Sequence, residues 1–285
     1  MICVMAASGE VGKGTVAELL AKGIEPGSIV AVARKPAPDS NVIYRTADYR
    51  DEASMAAAFR GVRTLILIPT KTPPAPRCLE HANALSAAKA AGVERIVFLS
   101  IQSAMPESRF YVAPFILFAE CAVRQSGLRW TMARMSLYID PIAEWAPELA
   151  RTGRLPYPVR DARVAYVSRQ DVSRSLAALA MNDNLSGEIP ELTGPAALSM
   201  PELAQAVSKA TGGSVRFQEI SEEEYREICR KDKLPDEMTD ILASMYRAAE
   251  AREFSRATSD ILILTGKAPE SAADAIARLM PRGTG

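Results

Sequence analysis

The chain has 285 residues, 48% of them hydrophobic, and its 34 lysines and arginines equal its 34 aspartates and glutamates. A neutral chain of this size buries a sizeable core, as one large domain or a domain with an appended lobe, and has no electrostatic pull toward nucleic acid or an anionic membrane. Four scattered cysteines without a CxxC pair, and one histidine, argue against a disulfide framework, a His-rich metal site and a histidine triad, and for reduced thiols in the cytoplasm.

Residues 2–6 read as a strand and not as the core of a signal peptide, since no charged stretch precedes them. A helix follows over 11–23, then a strand at 28–34 (SIVAVAR) and a weaker one at 41–46. Residues 51–60 are helical, 64–69 (TLILIP) a buried strand, 76–91 a helix and 95–100 (RIVFLS) another strand. A helix over 113–126 and a sixth strand at 130–134 complete the alternation. Continuous Val/Ile/Leu runs between helices predict parallel strands covered on both faces, and so an α/β fold with a Rossmann-type doubly wound parallel sheet.

After about Tyr138 the rhythm changes. Residues 140–151 read as helix and 164–167 as strand, Ser168 with Asp171 opens a helix to Met181, and Ser199 and Ser221 begin further helices. This predicts a Rossmann domain over 1–137 and a smaller, interleaved α/β substrate lobe over 138–285, as one structural unit.

The loop after the first strand, Ala6 to Thr15, fits two patterns in part. As a P-loop it has Gly12 and Lys13, but the Mg²⁺-binding Ser/Thr position is Gly14, and neither TLILIP nor RIVFLS ends in an acid. As a dinucleotide turn it offers Ala6, Gly9 and Gly12. There Ser8, Glu10 and Val11 complete the approach to a helix N-terminus that would receive a pyrophosphate. Gly9 permits close backbone approach and any positive φ the turn requires. Gly12 lets the helix pack on the sheet, and Ala6 adds a methyl group where the chain turns. At the end of the second strand an NAD site would carry Asp or Glu; this chain has Arg34 and Lys35, which suit the 2′-phosphate of NADP(H).

With those residues in place, the sequence resembles the atypical short-chain dehydrogenase/reductases of the NmrA-like branch, most of all NADPH-dependent quinone oxidoreductases and triphenylmethane dye reductases. The resemblance runs through Ala-Ala-Ser-Gly-Glu-Val-Gly at the loop, Ala-Asp-Tyr-Arg-Asp-Glu at Ala47 to Glu52, His-Ala-Asn and Ala-Ala-Lys-Ala-Ala-Gly-Val between His81 and Val93, and Thr-Met-Ala-Arg-Met-Ser-Leu-Tyr at Thr131 to Tyr138. It implies that Asp48 lies by the adenine, that Pro69, Thr70 and Ser100 line the nicotinamide side, and that the substrate sits under the second lobe.

The chain departs from the wider superfamily at the acid. No lysine has a tyrosine four residues before it, so Tyr-x-x-x-Lys is absent. Tyr138 and Ser100 are the candidates to bind a substrate oxygen, against the plainer readings of a half-buried aromatic and a strand-end cap. Phe115, Met135, Ser136, Tyr138, Trp145 and Tyr157 would wall an apolar pocket, or some are simply core. Glu120 reads as one half of a salt bridge, His81 as structural, and the prolines of 69–76 as a stiff rim or a plain connection.

The expected function is an NADPH-dependent reductase passing hydride to a quinone-like or conjugated aromatic small molecule, in a monomer or homodimer, with no metal. Two alternatives stand beside it. One is a non-catalytic NADP-binding redox sensor of NmrA type. The other is a lyase, cyclase or isomerase on the same fold.

Overall fold

The computed structural model describes residues 1–35, 41–70 and 72–280. In chain order the elements are β1 (Ile2–Val4), α1 (Glu10–Ala21), β2 (Ile29–Ala33), β3 (Ile43–Thr46), α2 (Glu52–Ala58), β4 (Thr64–Leu67), α3 (Pro74–Ala90), β5 (Arg95–Ile101), α4 (Ala113–Gln125) and β6 (Arg129–Met135). There follow α5 (Asp140–Thr152), β7 (Arg154–Tyr157), β8 (Arg163–Val164), α6 (Arg169–Met181), β9 (Glu191–Leu192), β10 (Leu198–Ser199), α7 (Met200–Thr211), β11 (Arg216–Glu219), α8 (Glu222–Lys231), α9 (Asp236–Glu250), α10 (Asp260–Thr265) and α11 (Ala272–Leu279).

The strands assemble a seven-stranded sheet in the order β3-β2-β1-β4-β5-β6-β9, parallel from β3 through β6. This is the α/β architecture expected of the apolar runs. Every residue of β2 and β4 is buried, as a strand with helices on both faces requires. Each such Leu, Ile or Val side chain contributes roughly 1.5–3 kcal/mol by leaving water.

The chain divides into two compact units that alternate along the sequence. The first comprises Met1–Ile101, Phe115–Met135 and Arg169–Glu191; the second comprises Gln102–Pro114, Ser136–Ser168 and Leu192–Gly285. Helix α6, which a single cut near Tyr138 would give to the C-terminal lobe, belongs to the first unit and packs along α1. Small residues permit this approach. A β-carbon at Gly14 would stand 2.6 Å from Ser173 Oγ, and that hydroxyl donates to the Val11 carbonyl at 3.1 Å.

The second unit is built from α5, α7 and α11 packed together, a parallel β7–β11 pair, an antiparallel β8–β10 pair, and α8 against α9. Ser199 and Ser221 start α7 and α8 with complete capping boxes to Glu202 and Glu224. Several boundaries differ from the sequence reading; the strand expected over 164–167, for one, is the short β8 at Arg163–Val164. Helix α3 begins at Pro74, because Pro74 and Pro76 fit a first helical turn, where a missing N–H leaves no bond unmade. Among the described residues no helix is long and apolar enough to cross a membrane, and no cluster of His, Cys, Asp and Glu suits a metal ion.

Candidate functional site

At the carboxyl end of β1 the chain reverses at Ala6, which holds φ at 52° and accepts the Gly9 N–H at 2.9 Å. The positive φ falls on Ala6 and not on Gly9, whose backbone is extended (φ −81°, ψ 164°) as the N-cap of α1. Ala7 N–H donates to the Val32 carbonyl at 2.9 Å, tying the loop to the end of β2. The third position is the tight one. A β-carbon on Gly12 would lie 2.3 Å from Ala6 O and 2.8 Å from Ala7 Cα, so this glycine seats the helix on the turn itself.

Lys13 N–H donates to Gly9 O at 2.8 Å. The N–H groups of Glu10, Val11 and Gly12 in the turn before it therefore have no helical acceptor. With the positive end of the α1 dipole they form a corner suited to a phosphate. Ser8, Gly9 and Glu10 at its rim are exposed. The Lys13 ammonium is paired with Glu10, one turn back, at 3.7 Å, and its side chain is 63% exposed.

Arg34 and Lys35 follow β2 directly and are both exposed. Among the described residues neither has a carboxylate within salt-bridge distance, which leaves two cations beside the loop. Asp48, after β3, is bound by Arg50 through its backbone N–H at 2.9 Å and its guanidinium at 3.0 Å. Those bonds hold its carboxyl below the usual carboxylate range, with the Arg34 charge adding to the effect.

The end of β4 is braced by Thr70 together with Tyr49, Thr72 and Glu80, three residues the sequence reading gave no role. Tyr49 OH donates to the Ile68 carbonyl at 2.6 Å, and burial pushes that phenol well above its ordinary pKa. Beyond half-buried Pro69, the hydroxyls of Thr70 and Thr72 donate to the buried Glu80 carboxylate. Lys71 lies outside the described residues.

Ser100, the penultimate residue of β5, has no exposure to solvent, and its hydroxyl donates to Glu120 Oε1 at 2.5 Å. Arg134 grips both oxygens of Glu120, at 2.8 Å through Nε and 2.6 Å through Nη2, and Arg124 adds a contact at 3.3 Å. Glu120 is thus the salt-bridged acid expected, and its bond raises the Arg134 pKa. The Ser100 hydroxyl is engaged within this triangle. Phe115 and Met135, at the start of α4 and the end of β6, are half-buried.

The remaining candidates stand in the second unit. Ser136 is 1% exposed, and its hydroxyl has no hydrogen-bond partner among the described residues. Tyr138 is half-buried and bridges to Val167, while Trp145 is 49% exposed on α5. Tyr157 does not stand in an open wall: its ring lies 4.8 Å from that of Tyr246, which in turn meets Tyr225 edge-on at 5.0 Å. A cavity of about 470 Å³ in this unit is lined by Tyr111, Glu237, Asp240, Ser244 and Arg247, none of which the sequence reading selected. Tyr111 reaches it from the segment after β5, where its N–H donates to Ser244 Oγ at 3.0 Å, and no local pattern links residues that far apart.

A parallel sheet with order 3-2-1-4-5-6 and a glycine turn leading from β1 into α1 define a Rossmann-like α/β fold. The model of the NmrA-like family matches residues 1–267, and the chain belongs to that family. It is similar to quinone oxidoreductase 2 of Escherichia coli, with 30% identity over 248 residues covering 85% of this chain and 86% of that protein. Among solved structures, NADPH-dependent quinone oxidoreductase from E. coli in complex with NADPH superposes with a TM-score of 0.91 at 28% identity, over 98% of this chain and 99% of that one. Triphenylmethane reductase of Citrobacter sp., complexed with NADP(H), gives a TM-score of 0.92 at 25% identity over 98% and 100% of the two chains.

Proposed function

We propose that this chain is an NADPH-dependent reductase that delivers hydride to a quinone-like or conjugated aromatic acceptor. The observation that carries the reading is the juxtaposition of the Ala6–Gly12 turn with Arg34 and Lys35, two exposed cations at the end of the neighbouring strand. The relatives whose names include NADPH and a quinone or dye substrate support it. The residues fit the cofactor: the N–H groups of the loop and of Glu10, Val11 and Gly12 would hold the pyrophosphate. Arg34 and Lys35 would take the 2′-phosphate, and Asp48 would border the adenine. Pro69, Thr70 and Ser100 would line the nicotinamide side. Bound NADPH supplies a hydride from its nicotinamide ring.

In this reading Ser136, Tyr138 and Trp145 of the second unit contribute to the acceptor site. A quinone spreads the charge of the added hydride by delocalisation and draws its proton from solvent, and a cationic dye is simply neutralised by the hydride, so neither needs a Tyr-x-x-x-Lys acid. A simple ketone does need one and should not react. The test is NADPH consumption by the purified protein across a panel of quinones, cationic dyes and plain ketones.

A second reading, an NADP-binding regulator without turnover, is favoured by one observation: the Ser100 hydroxyl is buried and already engaged by Glu120. Tight NADP⁺ binding with no NADPH consumption by any acceptor would replace the first reading with the second.

A further inference from the structure

The strand order reverses between β1 and β4, the place where open parallel sheets admit ligands. The chain leaving β4 there is held by side chains. Tyr49 OH grips the Ile68 carbonyl, and the Tyr49 carbonyl accepts Asn83 Nδ2 at 3.1 Å. Thr70 and Thr72 each donate a hydroxyl to a different oxygen of Glu80, the latter at 2.9 Å. Arg77 Nε donates to the Thr72 carbonyl at 2.9 Å, and the Thr70 hydroxyl accepts the Thr72 N–H at 3.3 Å.

Glu80 is only 4% exposed. Holding a carboxylate that far from water is costly, and an apolar side chain at this place on α3 would avoid the cost. What a carboxylate alone provides is two acceptor oxygens in one plane with no donor of its own, able to take two hydroxyls at once. The arrangement is built to fix the chain around Thr70 and Thr72, not to fill space.

We infer that Glu80 is a positioning residue for the dinucleotide: by gripping Thr70 and Thr72 it holds these two residues in place to receive the nicotinamide half. The inference rests on the cofactor reading given above. A loop ordered in advance spares the ligand the entropy of ordering it, so the grip acts on affinity. Because the nicotinamide half is common to both dinucleotides, NADPH and NADH gain equally. The Arg34 contact, by contrast, favours NADPH alone.

Fluorescence titrations of the full chain with NADPH and with NADH test this on wild type, Thr70→Val, Thr70→Ser and Glu80→Gln. Valine keeps the shape of threonine and removes the donor; about tenfold weaker binding of both dinucleotides is expected. Serine keeps the donor and should restore affinity to within about twofold of wild type. Glu80→Gln, which retains one acceptor oxygen, should fall between. A purely structural role would lower the melting temperature and leave the affinity of the folded protein unchanged. Wild-type affinity in folded Thr70→Val overturns the inference, and Glu80→Gln decides by the same criterion if Thr70→Val folds poorly. A wild type that binds neither dinucleotide overturns the cofactor reading, and this inference with it.

Discussion

Gly12 sits against Ala6 so closely that a β-carbon on the glycine would stand 2.3 Å from the alanine's carbonyl oxygen, while Ala6 itself takes the left-handed backbone, φ 52°. The two positions of the turn therefore have opposite tolerances. Ala6→Gly relieves a left-handed β-carbon and should stabilise the fold by about 1 kcal/mol, leaving NADPH affinity unchanged or slightly tighter. Gly12→Ala must push the turn or α1 aside; a loss of about 1–3 kcal/mol and of dinucleotide binding is expected. Urea denaturation paired with NADPH titration reads both. A Gly12→Ala variant with wild-type stability would mean that α1 is not seated on Ala6.

Arg34 has no carboxylate within salt-bridge distance among the described residues, so removing its charge breaks no such pair among them. A charge-assisted contact to a 2′-phosphate contributes roughly 1.5–3 kcal/mol. Arg34→Ala should then weaken NADPH about tenfold or more and leave NADH unaffected. Equal affinities of the wild type for the two cofactors would end the NADP assignment.

The parts of this site that could be read in the sequence are local. Ala6, Gly9, Gly12, Arg34 and Lys35 lie within one strand–helix–strand unit, where spacing along the chain maps directly onto spacing in the fold. Glu120 could be read as a paired acid, because a charge on an apolar helix must find a partner, but that partner, Arg134, comes from the next strand at no fixed offset. Ser100 illustrates the limit. Its place at a strand end matches a ligand-facing hydroxyl and a buried one equally well, and only the position of Glu120 decides. The pairing of α6 with α1 escaped for a similar reason: Gly14 and Ser173 are small residues far apart in sequence, and neither alone announces a close helix crossing.

The triangle of Ser100, Glu120 and Arg134 makes a measurable claim about stability. Glu120 is fully buried, whereas the Arg134 side chain is 21% exposed. Removing the arginine leaves a buried carboxylate with only Ser100 and the longer Arg124 contact. Arg134→Ala should cost about 3 kcal/mol or somewhat more. Replacing both partners, as in Arg134→Met with Glu120→Leu, should recover most of that loss, since no charge is then left buried. A double-mutant cycle by urea denaturation measures the coupling. Strictly additive single losses would show that the two residues do not act as a pair.

His81 gives the fold a specific acid sensitivity. Its ring is 2% exposed, edge-on to Phe98 at 5.4 Å, and neither nitrogen has a hydrogen-bond partner among the described residues. Burial, with the nearby Arg77 charge adding to it, lowers its pKa from 6.5 to about 4. The unfolded chain therefore takes up a proton near pH 6.5 and the folded chain does not. Stability is unaffected above that pH and falls as the pH drops toward 4, at up to about 1.4 kcal/mol per pH unit. Between pH 7 and pH 5 the loss from this residue should be about 2 kcal/mol. A carboxylate held low by an arginine, such as Asp48, loses its contribution mainly below pH 5, outside this window. His81→Leu removes the titrating ring and its unpaired nitrogens, so it should match or exceed wild-type stability at pH 7 and lose far less at pH 5. Urea midpoints of the two proteins at both pH values measure the difference, and parallel losses in wild type and variant would show that some other group carries the acid sensitivity.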